Sequence, residues 1–261
     1  MPLAYSTLGV PGLPLAEAAR LAADHGWAGL ELRCAEGESV HPAMTGPERR
    51  AAARTLRAHG LTPLALASYV GVAAPGADAP VTEALRTHLR LAADLGAPAV
   101  RVFPRGGDGP RDEADDRAVR RLTAMAEEAR RLGVRVLVET HDSHRGGRAV
   151  AGLLERVAHP AVGALWDLMH THLAAETPAE SHAALAPYLG HVQVKDIAGP
   201  HDRTPLPLGA GALPIADCLR LLPPDAWVCW EYEAPWHPAA AALPPLLPSG
   251  AAYLAAAARA S

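Results

Sequence analysis

Four glycines set the period of this chain. Gly26, Gly60, Gly96 and Gly133 each close a helical stretch, and each is soon followed by an apolar run. These runs are Gly29-Leu30-Glu31-Leu32-Arg33, Pro63-Leu64-Ala65-Leu66-Ala67-Ser68, Ala99-Val100-Arg101-Val102-Phe103 and Val134-Arg135-Val136-Leu137-Val138-Glu139. The glycines are 34, 36 and 37 residues apart. Glycine just past a helix supplies the left-handed residue that ends it, so each interval reads as one βα pair. Carried along the chain, the pattern predicts strands beginning near Ala4, Gly29, Pro63, Ala99, Val134, Val162, His191 and Trp227. Helices are expected over Leu15–His25, Pro47–His59, Val81–Leu95, Asp112–Leu132, Ala149–Val157, Ala179–Tyr188, Ile215–Leu222 and about Gly250–Arg259. Eight such pairs fill the 261 residues as one α/β domain, residues 1–261. A closed (β/α)8 TIM barrel is the simplest solution. The open doubly wound sheet is the alternative, but no Gly-x-Gly-x-x-Gly follows the first strand.

Composition fits helices packed on a buried parallel sheet: Ala, Leu and Val dominate and there is a single Phe. The net charge of -4 argues against a nucleic-acid surface, which normally carries a basic excess. No run of 18 apolar residues occurs, so no membrane span is expected. The start, Met-Pro-Leu-Ala-Tyr-Ser-Thr, has no basic flank before an apolar stretch and reads as no signal peptide. Cys34, Cys218 and Cys229 are odd in number and follow no zinc spacing, which fits reduced thiols in the cytoplasm.

In such a barrel the strand C-termini and the following loops form the active face. Ionisable residues stand at four of these ends: Glu139 in Val-Leu-Val-Glu-Thr-His, Asp167 in Leu-Trp-Asp, the Gln193–Lys195 stretch in His-Val-Gln-Val-Lys-Asp, and Glu231 in Val-Cys-Trp-Glu-Tyr-Glu. Side chains alternate along a strand. If the sides bearing these residues face the axis, Glu139, Asp167, Gln193 and Glu231 converge near the mouth. Bare carboxylates at one point repel one another, and a divalent cation relieves this. Oxygen ligands favour a hard ion such as Mn²⁺ or Mg²⁺, with Zn²⁺ or Co²⁺ as alternatives. His141 and His170 are candidates for contacting substrate hydroxyls. Lys195 either holds an anionic substrate group or pairs with Asp196 or a metal-site glutamate. Asp167 also stands where it could cap the next helix.

The motifs Gly29–Arg33, Val138-Glu139-Thr140-His141, Trp166-Asp167 with His170, Gly190–Asp196 and Trp230-Glu231-Tyr232-Glu233 together resemble the sugar-phosphate isomerase/epimerase family of xylose-isomerase-like barrels. The resemblance runs along nearly the whole chain. It implies one divalent ion held by Glu139, Asp167, Gln193 and Glu231, with His170 contacting substrate. Gln193 departs from the His found in many relatives, although hydroxypyruvate-isomerase-like members use Gln. The expected reaction is isomerisation or epimerisation of a small polyol, ketose or keto acid. It proceeds by proton transfer through an enediolate, with Glu139 and Glu231 as the bases. A dehydratase of the same family is the alternative. A non-catalytic metal- or sugar-binding accessory subunit, a DNA-repair endonuclease and assembly as a homo-oligomer stay open. The loops 105–110, 142–147 and 198–212 are expected to be mobile lids. Residues 235–248 read as an irregular connection.

Overall fold

The computed structural model describes residues 1–259. Its eight strands are β1 (Leu3–Ser6), β2 (Gly29–Arg33), β3 (Thr62–Gly71), β4 (Ala99–Phe103), β5 (Arg135–Glu139), β6 (Val162–Asp167), β7 (Leu189–Val194) and β8 (Val228–Trp230). They pair in parallel in chain order, and β8 closes on β1. The helices are α1 (Leu15–Asp24), α2 (Gly46–Ala58), α3 (Asp78–Leu95), α4 (Arg111–Leu132), α5 (Gly147–Val157), α6 (Leu168–Leu173), α7 (Pro178–Leu185), α8 (Ile215–Arg220) and α9 (Leu247–Arg259). The expected (β/α)8 barrel is therefore present, and each predicted strand has its counterpart. No helix among the described residues is long and apolar enough to cross a membrane. All three cysteines are buried free thiols.

Local chemistry explains most element ends. Gly133 caps α4 at φ 67°, a left-handed conformation that glycine adopts without strain. α2 and α7 begin with reciprocal capping boxes, Thr45 with Glu48 and Thr177 with Glu180. α3 starts at Asp78, three residues before the predicted Val81, because Pro80 falls in the first turn, where its missing N–H costs no helical bond. α9 begins at Leu247, so Gly250 lies inside it rather than at its start. A Cβ there would meet the Trp230 ring at 2.2 Å, so the glycine admits close packing of the helix on β8. The short α6 was not predicted as a separate element. It is only one and a half turns long, and Asp167 caps it by accepting from the His170 N–H at 3.2 Å.

Alternation along the strands divides the interior into two environments. Val100, Val102, Val136, Val138, Trp166, Val192 and Val194 point outward into the main apolar layer beneath the helices. The opposite sides face the lumen. Ala99, Leu137 and Leu165 form one small lumenal cluster, and Ala4, Leu64 and Cys229 another. Farther along the same strand sides the buried residues become polar: Glu31, Arg101, Glu139, Asp167, Gln193 and Glu231. The apolar clusters supply the packing, so this polar end is built for something other than a core.

Candidate active site

A cavity of about 250 Å³ lies at this polar end, with Tyr69, Arg101, Phe103, Glu139, His141, His170, Glu231 and Trp236 among its lining residues. Glu139 closes β5 and Glu231 directly follows β8, and both are almost fully buried. Burial pushes the Glu139 carboxyl well above the usual carboxylate range, against the pull of the Arg101 guanidinium. Arg101 Nε lies 3.2 Å from Glu139 Oε2.

Lys195 is buried among carboxylates. Its Nζ stands 2.7 Å from Asp167 Oδ2 and 2.6 Å from Glu233 Oε1, and it also contacts Glu231 Oε2. Burial alone would lower the Lys195 ammonium, but Asp167, Glu231 and Glu233 outweigh it and hold it well above its ordinary value. Lys195 therefore stays charged inside the barrel, within the carboxylate cluster rather than among the cavity-lining side chains. It does not pair with Asp196. That carboxylate instead accepts the backbone N–H groups of Ile197, Gly209, Gly211 and Leu213 at 2.9–3.2 Å.

Glu31 does not pair with Arg33. It lies at the centre of an adjoining buried group, where Gln193 Nε2 donates to both its oxygens at 2.9 and 3.0 Å and to Glu231 Oε1 at 3.2 Å, and His191 Nε2 lies 3.1 Å away. Burial would raise the Glu31 carboxyl, but His191, Arg101 and Gln193 together bring it below the usual range. An ionised Glu31 fixes the amide of Gln193 with its N–H₂ toward the acid. Gln193 Oε1 is then left free.

The oxygens of the expected ligands fit a cation. Glu139 Oε2, Asp167 Oδ2 and Gln193 Oε1 are buried without a hydrogen-bond partner among the described residues. The first two face Arg101 and Lys195 without hydrogen-bond geometry. Among the described residues, the carboxylates Glu139, Asp167, Glu231 and Glu233 form their ion pairs here with two buried cations, Arg101 and Lys195. A second grouping is also present. Ligand atoms of Glu139, His141 and His170 all lie within 4.8 Å of one another. The two imidazoles are 4.2 Å apart between ring centroids, and Phe103 lies 4.4 Å from His141. His170 is held well below its ordinary value, first by burial and then by the charge of its neighbours, so its ring is neutral. Its Nε2 has no hydrogen-bond partner. A neutral, unpaired imidazole nitrogen can bind either a metal or a hydroxyl.

Arg101, Tyr69 and Phe103 were not singled out in the sequence. Arg101 carried a usable signal, since a charge in the middle of Ala-Val-Arg-Val-Phe falls on the lumenal side of a buried strand. The Arg101 guanidinium lies 3.9 Å over the Phe103 ring, and its Nη1 has no hydrogen-bond partner.

Two of the expected lids are tied to each other. Asp142 Oδ1 accepts the Arg105 N–H, and Ser143 Oγ accepts the Gly106 N–H, both at 2.8 Å. The third, 198–212, folds around Asp196. Asp196→Asn is expected to cost about 1–3 kcal/mol, the scale for leaving buried donors unsatisfied, and to speed amide exchange at Gly209 and Gly211. Unchanged exchange there would remove Asp196 as the anchor of that loop.

A family model described as xylose isomerase-like TIM barrel matches residues 19–256. No curated protein matches the sequence. Among solved structures, the probable 3-DHS dehydratase AsbF from Bacillus anthracis superposes with a TM-score of 0.79 at 17% identity, covering 98% of this chain and 99% of that one. The IOLI protein with a binding zinc atom gives 0.82 at 15% identity over 100% and 99%. An L-ribulose 3-epimerase gives 0.82 at 16% identity over 100% and 95%. At these identities the likeness establishes the fold.

Proposed function

We propose that this chain, which belongs to the xylose isomerase-like TIM barrel family, is a divalent-metal-dependent isomerase or epimerase of a polyhydroxy carbonyl compound. The observation that carries this reading is the set of buried oxygens without hydrogen bonds on Glu139, Asp167 and Gln193, the first two facing only the ion-pair cations Arg101 and Lys195, beside a cavity that Glu139 and Glu231 both line. Glu139, Asp167, Gln193 and Glu231 would hold the ion. When bound, it supplies Lewis-acid polarisation of a carbonyl and a template for the neighbouring hydroxyl.

The chain's own groups account for the rest. One of the two glutamates takes a proton from the carbon beside the carbonyl, and the C–H electron pair moves toward the carbonyl oxygen to give an enediolate. The other glutamate, or the same one, returns a proton. Return on the opposite face gives an epimer. Return to the neighbouring carbon gives an aldose–ketose isomer. His170, neutral and with Nε2 unpaired, orients a substrate hydroxyl. The free Nη1 of Arg101, over the Phe103 ring, supports a carboxylate on the substrate, because guanidinium binds that group with matched geometry. Lys195 holds Asp167 and Glu231 in place.

Asp167→Ala and His170→Ala separate the two ligand groupings. Asp167→Ala is expected to hold less than one Mn²⁺ per chain at modest chelator. His170→Ala is expected to keep its metal and lose roughly tenfold to a thousandfold in rate, the range for losing one positioned contact. Metal loss in His170→Ala with full metal in Asp167→Ala would move the site to Glu139, His141 and His170.

A further inference from the structure

A second, open cavity of about 940 Å³ lies between the loop after β2 and helix α3. Its walls are mainly apolar, with Cys34, Pro42, Val70 and Ala84 among them. Tyr69 lines both this cavity and the reaction cavity. The Tyr69 hydroxyl accepts from Arg33 Nε at 2.9 Å, and Arg33 is itself paired with Glu38 at 2.7 Å, so the ring is held as a partition between the two. The reaction cavity alone is smaller than typical small-molecule sites, which run roughly 300–1,000 Å³. The neighbouring space by itself is near the upper end of that scale, room enough for a second part of a ligand.

Among the polar residues of the annex wall, His88 offers a buried handle. His88 is 7% exposed, and its Nδ1 lies 2.7 Å from the Ala84 carbonyl oxygen. A carbonyl only accepts, so Nδ1 carries the proton. Burial lowers the imidazole from its ordinary value and keeps it neutral. Nε2 is then an acceptor, and it makes no hydrogen bond among the described residues. Glu36 on the wall disfavours an anion here, while Glu38 is offset by its pair with Arg33. The guanidinium groups of Arg101 and Arg105 lie 5.6 and 6.0 Å from the Tyr69 ring. An elongated substrate would place its anionic end with the arginines and its uncharged end in the annex.

We infer that the annex binds a second, apolar part of the substrate, an aryl or short-chain group bearing a hydroxyl or N–H donor, joined to the reacting polyhydroxy acid. The inference takes only the identity of the reacting end from the proposed function. The natural substrate is then a conjugate rather than a free sugar acid. Burying an aryl ring against such walls yields roughly tenfold to a hundredfold in affinity.

The test is calorimetric titration of the Mn²⁺-loaded protein with a phenyl compound that carries the donor, 4-hydroxyphenyl β-D-glucuronide, and with methyl β-D-glucuronide. The phenyl compound is expected to bind at least about tenfold tighter. Ala84→Trp on α3 and Ala43→Trp on the exposed loop should each erase that advantage and leave the methyl compound's Kd unchanged. The two variants sit on different elements, so misfolding of one leaves the other to decide. A phenyl compound that binds no better than the methyl one, or an advantage that survives both tryptophans, overturns the annex. C–H exchange in D₂O is scored separately on unconjugated acids and ketoses, so failure of the proton-transfer chemistry reads differently from failure of the annex.

Discussion

Glu231→Gln is expected to lower turnover by roughly a hundredfold or more, the scale of a lost general base, while fold and metal content stay near wild type. The substitution keeps the size of the side chain and one oxygen, and removes only the basic carboxylate. Lys195 retains Asp167 and Glu233 as partners in the variant, so the buried ammonium is not abandoned. The assay incubates candidate ketoses, hydroxypyruvate and polyhydroxy keto acids with protein and Mn²⁺ in D₂O and follows C–H signals by NMR. Every form of the proposed mechanism passes through an enediolate, so wild-type turnover should carry deuterium onto the reacting carbon. A hydride shift moves hydrogen without releasing it, and product free of deuterium would exclude the proton route for that substrate. Wild-type exchange rates in Glu231→Gln would remove Glu231 as a base and leave Glu139 alone in that role. If β-elimination replaces proton return, the same spectra show loss of water from the product, which is the dehydratase outcome.

The barrel was legible because its signals are local and repeated. Gly26, Gly60, Gly96 and Gly133 all adopt positive φ, and that requirement is visible in the sequence as a glycine between a helical stretch and an apolar run. The strand-end acids were legible for a related reason: alternation puts Glu139 on the lumenal side with Leu137, and Asp167 with Leu165. What could not be read were pairings between strands far apart in sequence. Glu31 and Arg33 look like an ion pair two residues apart, yet alternate residues of a strand do not meet in this way when one is drawn across the barrel. Glu31 reaches His191 and Gln193, 160 and 162 residues away. Lys195 next to Asp196 misleads for a different reason, because adjacent residues of an extended chain point to opposite faces. The ties between loops were not legible from composition either. Gly106 and Ser143 are small and polar, which suits motion in isolation, but here one donates its N–H to the other and binds two loops together.

Lys195→Met is expected to destabilise the metal-free protein by about 3–5 kcal/mol, the scale for breaking a buried ion pair by removing one partner. The replacement fills similar space, so the cost is electrostatic rather than a cavity. Without the ammonium, Asp167, Glu231 and Glu233 lose the cation they share inside the barrel, and the other buried cation, Arg101, stands beside Glu139. For a chain of this size that loss corresponds to a drop in Tm of roughly 10 °C. The same substitution has a second expected consequence. Lys195 occupies oxygens of Asp167 and Glu231, two of the four expected ligand residues, and a divalent cation must share or displace it. Removing the competitor should tighten Mn²⁺ binding, and bound ligand stabilises the folded state by mass action. Thermal melts with chelator and with excess Mn²⁺ should therefore differ more in Lys195→Met than in wild type. A variant that melts with the wild type in chelator would show that the carboxylates do not depend on this ammonium. A variant that melts low but gains no more from Mn²⁺ than the wild type does would place the metal away from Asp167 and Glu231, at the Glu139, His141 and His170 grouping.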